Sequence, residues 1–486
     1  MFVRKTKSRS STCFQVGHKR NGKFVLVKHV GCASTPAEIE ALRLKAKQEL
    51  VRIVYENQLS MFPDKRQTSK AKLLGWHITG YHLVFGSVYD SIGFPNNLLR
   101  DLVVARIVYP KSKLSTIRYL GRHMGINLPK DRVYRFLDRL DKNELSQIAF
   151  RFVSQRNNGI SLIFYDVTTL YFEVDNEDTL RKKGYSKDHR SDIPQILIGL
   201  FVDHDGYPFD FDFFDGKTFE GNTFQVAIGN LMAKYSFDKL TVVADAGMLS
   251  EANLSYLESV DIGYIVGARL RSLGDKLTQE LGMHDFTKAS VVEIPLQGRR
   301  LIIEFSQTRA KKDRSNREKQ VEKLKLDIAS KRQLIRKSKY LAVARRGKII
   351  GLDQNKIDKD KQYDGLKGYI ANRSNGMVHQ EIIAQYHNLW KVEKAFRMSK
   401  GDLKERPIYH FVLQRIRSHL LICFVSLLVM KETERILKQE QCSLEKAIEA
   451  LGRIGQGEVR IGNVQLEIDS ELDQEAQSIL KLFEGH

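Results

Sequence analysis

The chain of 486 residues carries 79 Lys and Arg against 58 Asp and Glu, a formal net charge of +21. Its length supports roughly two to four domains with substantial cores, and its charge predicts a polyanionic partner, nucleic acid ahead of a membrane surface, the alternative being a ribosome-associated or simply soluble basic protein. Composition argues against a membrane protein or a disulfide scaffold: the longest apolar run, Leu420–Met430, is too short to cross a bilayer, the basic N-terminus lacks a signal stretch, and Cys13, Cys32, Cys423 and Cys442 include no Cys-x2-Cys pair, so neither a zinc site nor a disulfide framework is expected and a reducing cytosol is.

The first 37 residues hold eight Lys or Arg and no acidic residue. Their pattern around Phe14–Val27 predicts a hairpin turning at Asn21-Gly22, followed by a helix from Pro36 to about Tyr55. Such a hairpin suits a DNA backbone and equally a solvated terminal extension. Pro63–Lys70 reads as a polar linker. Residues 71–155 read as mostly helical, with helices at Ser112–Met124 and Lys130–Leu140 joined by Gly125–Pro129, as in a helix-turn-helix. The second helix presents Arg132, Arg135 and Arg139 on one face, suited to guanine or phosphate, and packs Val133, Phe136, Leu137 and Leu140 inward. An ordinary helical hairpin carries the same pattern.

The next segments spell an α/β sheet. Ile160–Phe172 reads as a buried strand with Asp166 inside it, where an unpartnered carboxylate is costly unless a metal, a cation or solvent meets it. Gln195–His204 reads as a central strand, Asp205-Gly206 as a turn, and Tyr207–Phe214 as a strand nearer the edge. A helix at Thr223–Lys234, a strand at Lys239–Asp245, a helix at Glu251–Ser259 capped by Ser250, and a strand at Ile262–Gly267 follow. Asp245 thus ends a strand where α/β sheets place ligands. A hydrogen-bonded structural carboxylate is the plainer reading of either Asp. This is the element order of an RNase H-like sheet.

Short strands at Val291–Leu296, Arg300–Phe305 and Tyr340–Ala344 flank a Lys-rich helical stretch, Ala310–Lys339. A β-rich insertion fits the span from Asp245 to Glu393, which is too long for one helix. The stretch Tyr386-His-Asn-Leu-Trp-Lys-Val-Glu-Lys-Ala-Phe-Arg-Met-Ser-Lys400 then places Tyr386, Trp390, Glu393, Arg397 and Lys400 on one helical stripe. A carboxylate can hold a divalent metal, cations can neutralise phosphates and aromatics can stack on bases. The plain alternative is an amphipathic helix with internal Glu–Arg and Glu–Lys pairs. Beyond His410 the chain reads as helical, with an acidic tail from Glu467 to Glu475.

On these residues the chain resembles the DDE transposases of prokaryotic insertion sequences, in the insertion-sequence-four superfamily. Their Tyr-x2-Arg-x3-Glu-x6-Lys signature is matched at Tyr386, Glu393 and Lys400, with Leu389 at the Arg position and Arg397 one turn beyond Glu393. The stretches Gly184–Asp192, Phe214–Glu220 and Tyr363–Gly368 are similar as well. The resemblance runs from about Ile160 to His410. It implies an α/β, RNase H-like catalytic core interrupted by a β-rich insertion, with helical N-terminal DNA-binding and C-terminal regions. The corresponding segments are 1–62, 71–155, 156–270, 271–362, 363–410 and 411–486.

The resemblance also implies that Asp166, Asp245 and Glu393 are catalytic and ligate two Mg²⁺ or Mn²⁺ ions, with Asp166 bridging them. Tyr386, Arg397 and Lys400 are expected at the DNA backbone. The implied activity is cleavage of insertion-sequence ends and joining of their 3′-OH groups to target DNA, by a dimer on double-stranded DNA in the cytoplasm, with no membrane partner. An RNase H-like nuclease without joining, and a catalytically silent DNA-binding derivative, are the alternatives.

Overall fold

The computed structural model describes residues 1–7, 11–20, 22–61, 71–173, 176–184, 192–248, 250–274, 281, 286, 290–330, 339–343, 349–372, 376–461 and 464–484. Asn21, the expected linker at 63–70, residues 185–191 of the Gly184–Asp192 stretch, 331–338 and Ala344 lie outside them. The chain forms two compact units, one of Met1–Leu73 with Val459–Leu466, the other of Leu74–Glu458 with Glu467–His486.

In the first unit, β1 (Phe2–Lys7), β2 (Thr12–Arg20) and β3 (Lys23–Ala33) form an antiparallel sheet with β2 in the middle, and α1 (Pro36–Met61) packs on it. The expected hairpin is present, with Arg20 opposite Lys23. Phe14, Val16, Ala46 and Ile53 are buried there. The cysteine expectation is corrected: the β2–β3 register sets Cys13 opposite Cys32, and the two form a disulfide. They are nineteen residues apart in sequence, and only strand register, which cysteine spacing does not reveal, brings them together.

The region expected to be mostly helical opens with a strand, β4 (Lys72–Ile78), and continues through α2 (Ser87–Ile92), α3 (Asn97–Val108), α4 (Lys113–His123), α5 (Lys130–Leu137) and α6 (Lys142–Arg156). Ser112 caps α4 by accepting from the Ser115 amide.

The eight-stranded sheet of the second unit is built from β5 (Leu162–Tyr171), β6 (Gln195–Asp203), β7 (Pro208–Asp215), β8 (Thr241–Ala244), β9 (Gly263–Ala268), β10 (Val291–Leu296), β11 (Arg299–Phe305) and β14 (Leu366–Ala371), in the order β10-β11-β14-β9-β8-β5-β6-β7. Between its strands run α7 (Glu220–Lys234), α8 (Glu251–Ser259), the charged helix α9 (Gln307–Ala329), the strands β12 (Leu341–Val343) and β13 (Ile349–Leu352), and α10 (Gln354–Lys361). The strand–turn–strand reading around Asp205-Gly206 holds: β6 and β7 are antiparallel, and Gly206 has φ +83°. β8 runs parallel to both of its neighbours, β5 and β9. All nine residues of β6 are buried, as the apolar run Ile196–Val202 between Gln195 and Asp203 requires.

The expected insertion does not keep its strands to itself. β10 and β11 continue the main sheet through β14, which pairs antiparallel with β9. The charged helix α9 is anchored rather than wholly solvated: Arg317 pairs with Asp364, and Leu324 packs with Tyr340 and Leu341. Gly365, at φ +81°, leaves no room for a side chain, because a Cβ would meet Phe305 and Ala310.

Helices α11 (His379–His387), α12 (Trp390–Gly401) and α13 (Leu413–Leu437) follow. The middle of α13, Ser418–Met430, is buried all round and packs against α2, α3, α5, α6 and β7, which accounts for the apolar run Leu420–Met430. No helix among the described residues is long and apolar enough to cross a membrane. The C-terminal region is not helical throughout. After α14 (Leu444–Leu451) come strands β15 (Gly455–Ile461) and β16 (Val464–Asp469), and the acidic stretch caps α15 (Gln474–Leu482) through Asp473.

Candidate active site

Asp166 lies in β5 and Asp245 directly follows β8, its parallel neighbour. β5 pairs with β8 with Tyr165 opposite Ala244, so the next position in that register holds Asp166 beside Asp245. Asp166 is the one residue of Leu162–Leu170 that is not fully buried, and its Oδ1 accepts from the Val167 amide at 2.8 Å. Asp245 is exposed just past the end of β8. Its Oδ1 takes the Ala246 amide at 2.7 Å, which fixes the carboxylate at the mouth of a tight 3₁₀ turn, Ala246–Met248.

Glu393 sits in the first turn of α12, where the helix dipole favours a carboxylate, and Lys400 lies in the last turn, where it favours a cation. The helix packs against β5 and β6, which brings Glu393 onto the element that rests on Asp166's strand. Among the described residues Glu393, Asp245 and Arg397 form no ion pair. The internal Glu393–Arg397 pair of a plain amphipathic helix is therefore not made.

The single helical stripe expected from Tyr386 to Lys400 is corrected. The segment breaks at Asn388-Leu389, where Leu389 N bonds Tyr386 O and Lys391 N bonds Asn388 O, three-residue links that tighten the turn. The break separates the faces: Tyr386 is buried, whereas Trp390 is 52% exposed. Leu389, at the signature's Arg position, is buried in the core, where an unpaired guanidinium is disfavoured.

Tyr386 links the elements. Its hydroxyl donates to Asp245 Oδ1 at 3.3 Å. It reaches that point only because residue 267 in β9 is glycine: a Cβ there would lie 2.3 Å from the Tyr386 hydroxyl oxygen. Burial, and then the negative charges of Asp245 and Glu393, push the phenol above its ordinary range. Tyr386 therefore stays protonated as a donor, and its hydrogen bond ties α11 to Asp245.

Within Tyr363–Gly368, sequence reasoning does not single out Lys367. This lysine stands opposite Glu304 on β11, with its Nζ 4.8 Å from the Tyr386 ring centroid and 5.3 Å from that of Tyr369. A sequence signal exists: it is the one charged residue in the strand Leu366–Ala371. Gly184 and Gly216, from the stretches Gly184–Asp192 and Phe214–Glu220, meet backbone to backbone, and a Cβ on Gly184 would lie 2.0 Å from the Gly216 carbonyl oxygen.

Lys400 is half-buried, and its charge acts on buried Glu405. Arg397 is exposed. Arg132, Arg135 and Arg139 are exposed on and just beyond α5 and line a surface depression with Asn96, Leu98 and Phe136, while Val133 and Leu137 are buried, as the sequence pattern predicts. None of the carboxylates lines that depression.

Asp166, Asp245 and Glu393 offer hard oxygen donors of the type that Mg²⁺ and Mn²⁺ take. Among the described residues no three His, Cys, Asp or Glu side chains are gathered closely enough to form a ready-made metal cage. The donor chemistry fits a divalent cation, since neither Asp245 nor Glu393 is neutralised by an ion pair among those residues.

No protein-family model and no curated protein matches the sequence. Among solved structures the chain is similar to a piggyBac transposase synaptic complex with hairpin DNA, at 9% identity and a TM-score of 0.39, over 84% of this chain and 79% of that one. It is also similar to the Mos1 mariner paired end complex with Mn, at 12% identity and a TM-score of 0.16, over 47% of this chain and 71% of that one.

Proposed function

We propose that the chain is a DDE transposase, with an RNase H-like core, that cuts the ends of an insertion sequence and joins their 3′-OH groups to target DNA. The observation that carries the reading is the placement of Asp166 in β5 and of Asp245 just past the end of the parallel strand β8, each one position beyond the Tyr165–Ala244 pair, with Tyr386 bonded to Asp245. The order β7-β6-β5-β8-β9, three antiparallel strands followed by two parallel ones, supports an RNase H-like core.

In this reading Asp166, Asp245 and Glu393 hold Mg²⁺ or Mn²⁺, which when bound supplies activation of the attacking oxygen and stabilisation of the leaving 3′-oxygen. Tyr386 fixes the orientation of Asp245 through its hydrogen bond. Arg397 and Lys400 lie along the same helix as Glu393 and neutralise DNA phosphates. Arg132, Arg135 and Arg139 contact DNA away from the carboxylates. No protein nucleophile is needed, and Tyr386, buried and bonded to Asp245, is disfavoured as one. Double-stranded DNA is the partner, and synapsis of two ends calls for a dimer on DNA.

The test is incubation of purified protein with Mg²⁺, labelled DNA carrying the element's terminal repeats and a supercoiled target. Joined products support the reading. Cleavage without joining points to a nuclease, and binding without cleavage to a catalytically silent derivative.

A further inference from the structure

We propose that Lys367, with Arg309 beside it, forms a second phosphate-binding subsite that takes a backbone phosphate of the bound DNA on the Asp245 side of the carboxylates. The inference rests on the nucleic-acid reading above and adds residues that the Tyr386–Lys400 segment does not contain.

Three observations meet at Lys367. Its ammonium stands over the faces of Tyr369 and Tyr386, the second of which is bonded to Asp245. Such faces hold a cation without discharging it. Its cross-strand neighbour Glu304 is occupied elsewhere, taking the Tyr369 hydroxyl at 2.7 Å and lying 3.5 Å from His387 Nε2. Among the described residues Lys367 forms no ion pair. A half-buried ammonium without a carboxylate at contact distance lacks its compensation, and a phosphate oxygen supplies it.

The surroundings agree. Burial, then the nearby Arg309 guanidinium, depress the Lys367 ammonium, while Glu304 and Asp245 act in the opposite direction. Arg309 is exposed in the first turn of α9, with the Asp313 carboxylate 3.7 Å away one turn on. The Ser306 amide bonds the Gly365 carbonyl at 2.9 Å and a Cβ on Gly365 would meet Ala310, so the first turn of α9, which carries Arg309, lies against the end of β14 that carries Lys367. An anion there is favoured by both cations. Lysine rather than arginine suits a point-charge contact of this kind.

The experiment measures binding of the full chain to a labelled duplex carrying the element's terminal repeats over a series of KCl concentrations. Lys367→Met is expected to weaken binding and lower the slope of log K against log [KCl] by about one, the amount one phosphate contact contributes. Lys367→Arg restores the slope. Arg309→Ala, at an exposed position, lowers it independently should Lys367→Met fold poorly. Wild-type binding with slopes unchanged in both Lys367→Met and Arg309→Ala overturns the subsite and leaves the transposase reading standing. Absence of DNA binding by the wild-type chain overturns both.

Discussion

Tyr386 donates a hydrogen bond to Asp245 across the C-terminal end of the parallel strands, and the close approach of the two depends on the missing side chain of Gly267. Helix α11, which directly precedes the Glu393 helix, is thereby fastened to Asp245 through a phenol. The site's alignment consequently depends on a residue in β9 that performs no chemistry.

Gly267→Ala tests that dependence. The added methyl would lie 2.3 Å from the Tyr386 hydroxyl oxygen, so Tyr386 must move. Overpacking of this kind costs about 1–3 kcal/mol. DNA cleavage is expected to fall at least as far as in Tyr386→Phe, which removes only the hydroxyl. Cleavage rates equal to wild type in both variants would show that the Tyr386–Asp245 link does not position the site.

Replacing Arg132, Arg135 and Arg139 together by Ala is expected to weaken binding of terminal DNA. The salt dependence should shrink as well, by up to about one unit of slope for each phosphate that an arginine neutralises. All three are exposed, so the melting temperature should stay close to wild type. Titration of labelled duplex at several salt concentrations reads both affinity and slope. An unchanged salt slope would reduce α4 and α5 to an ordinary helical hairpin.

Lys113 predicts a pH dependence of stability. It is fully buried, and burial followed by repulsion from Arg106 lowers its ammonium to about 7. His410 and His419 lie in the same buried neighbourhood, each lowered by burial first and by Lys113 and Arg106 after it. Between the folded value of about 7 and the ordinary 10.5, the unfolded chain binds the proton that the folded chain has released. Stability from this group therefore rises with pH across that window, and the burial penalty is fully present below it. Lys113→Met should stabilise the protein at pH 7 by on the order of a few kcal/mol, an advantage that shrinks as pH rises. Urea unfolding of both proteins at pH 7 and pH 9.5 checks it, and a constant difference between them would contradict it.

The anchoring of α9 is tested at Arg317 and Asp364, both largely buried. Removing one partner of such a pair strands a charge and costs about 3–5 kcal/mol, whereas replacing both with apolar residues costs less. Chemical unfolding of Arg317→Met, Asp364→Leu and the double variant should show that order. A double variant less stable than either single would refute it.

Much of the larger sheet was legible because its signals are local. Ile160–Phe172 and Gln195–His204 are apolar runs of strand length, and Ser250 announces α8 by its capping position. What the sequence did not reveal depends on register and on distant packing. The Cys13–Cys32 bond exists because a hairpin register sets the two opposite each other. The extension of the sheet by β10 and β11 depends on pairing with β14, some sixty residues further along the chain. The break at Asn388-Leu389 leaves the helical periodicity nearly intact, so spacing alone predicted one continuous stripe. Lys367 was visible as a charge in an apolar strand, but its relation to Tyr386 exists only in three dimensions.

The most direct measurement of the central claim uses Asp166→Asn, Asp245→Asn and Glu393→Gln, each assayed in Mg²⁺ for cleavage and joining of terminal DNA and separately for binding to it. If the three carboxylates form one metal-dependent centre, each variant loses cleavage and joining while binding the DNA ends about as tightly as wild type. Retained cleavage in any of the three would contradict the assignment of that residue, and retained cleavage in Asp166→Asn would contradict the centre itself.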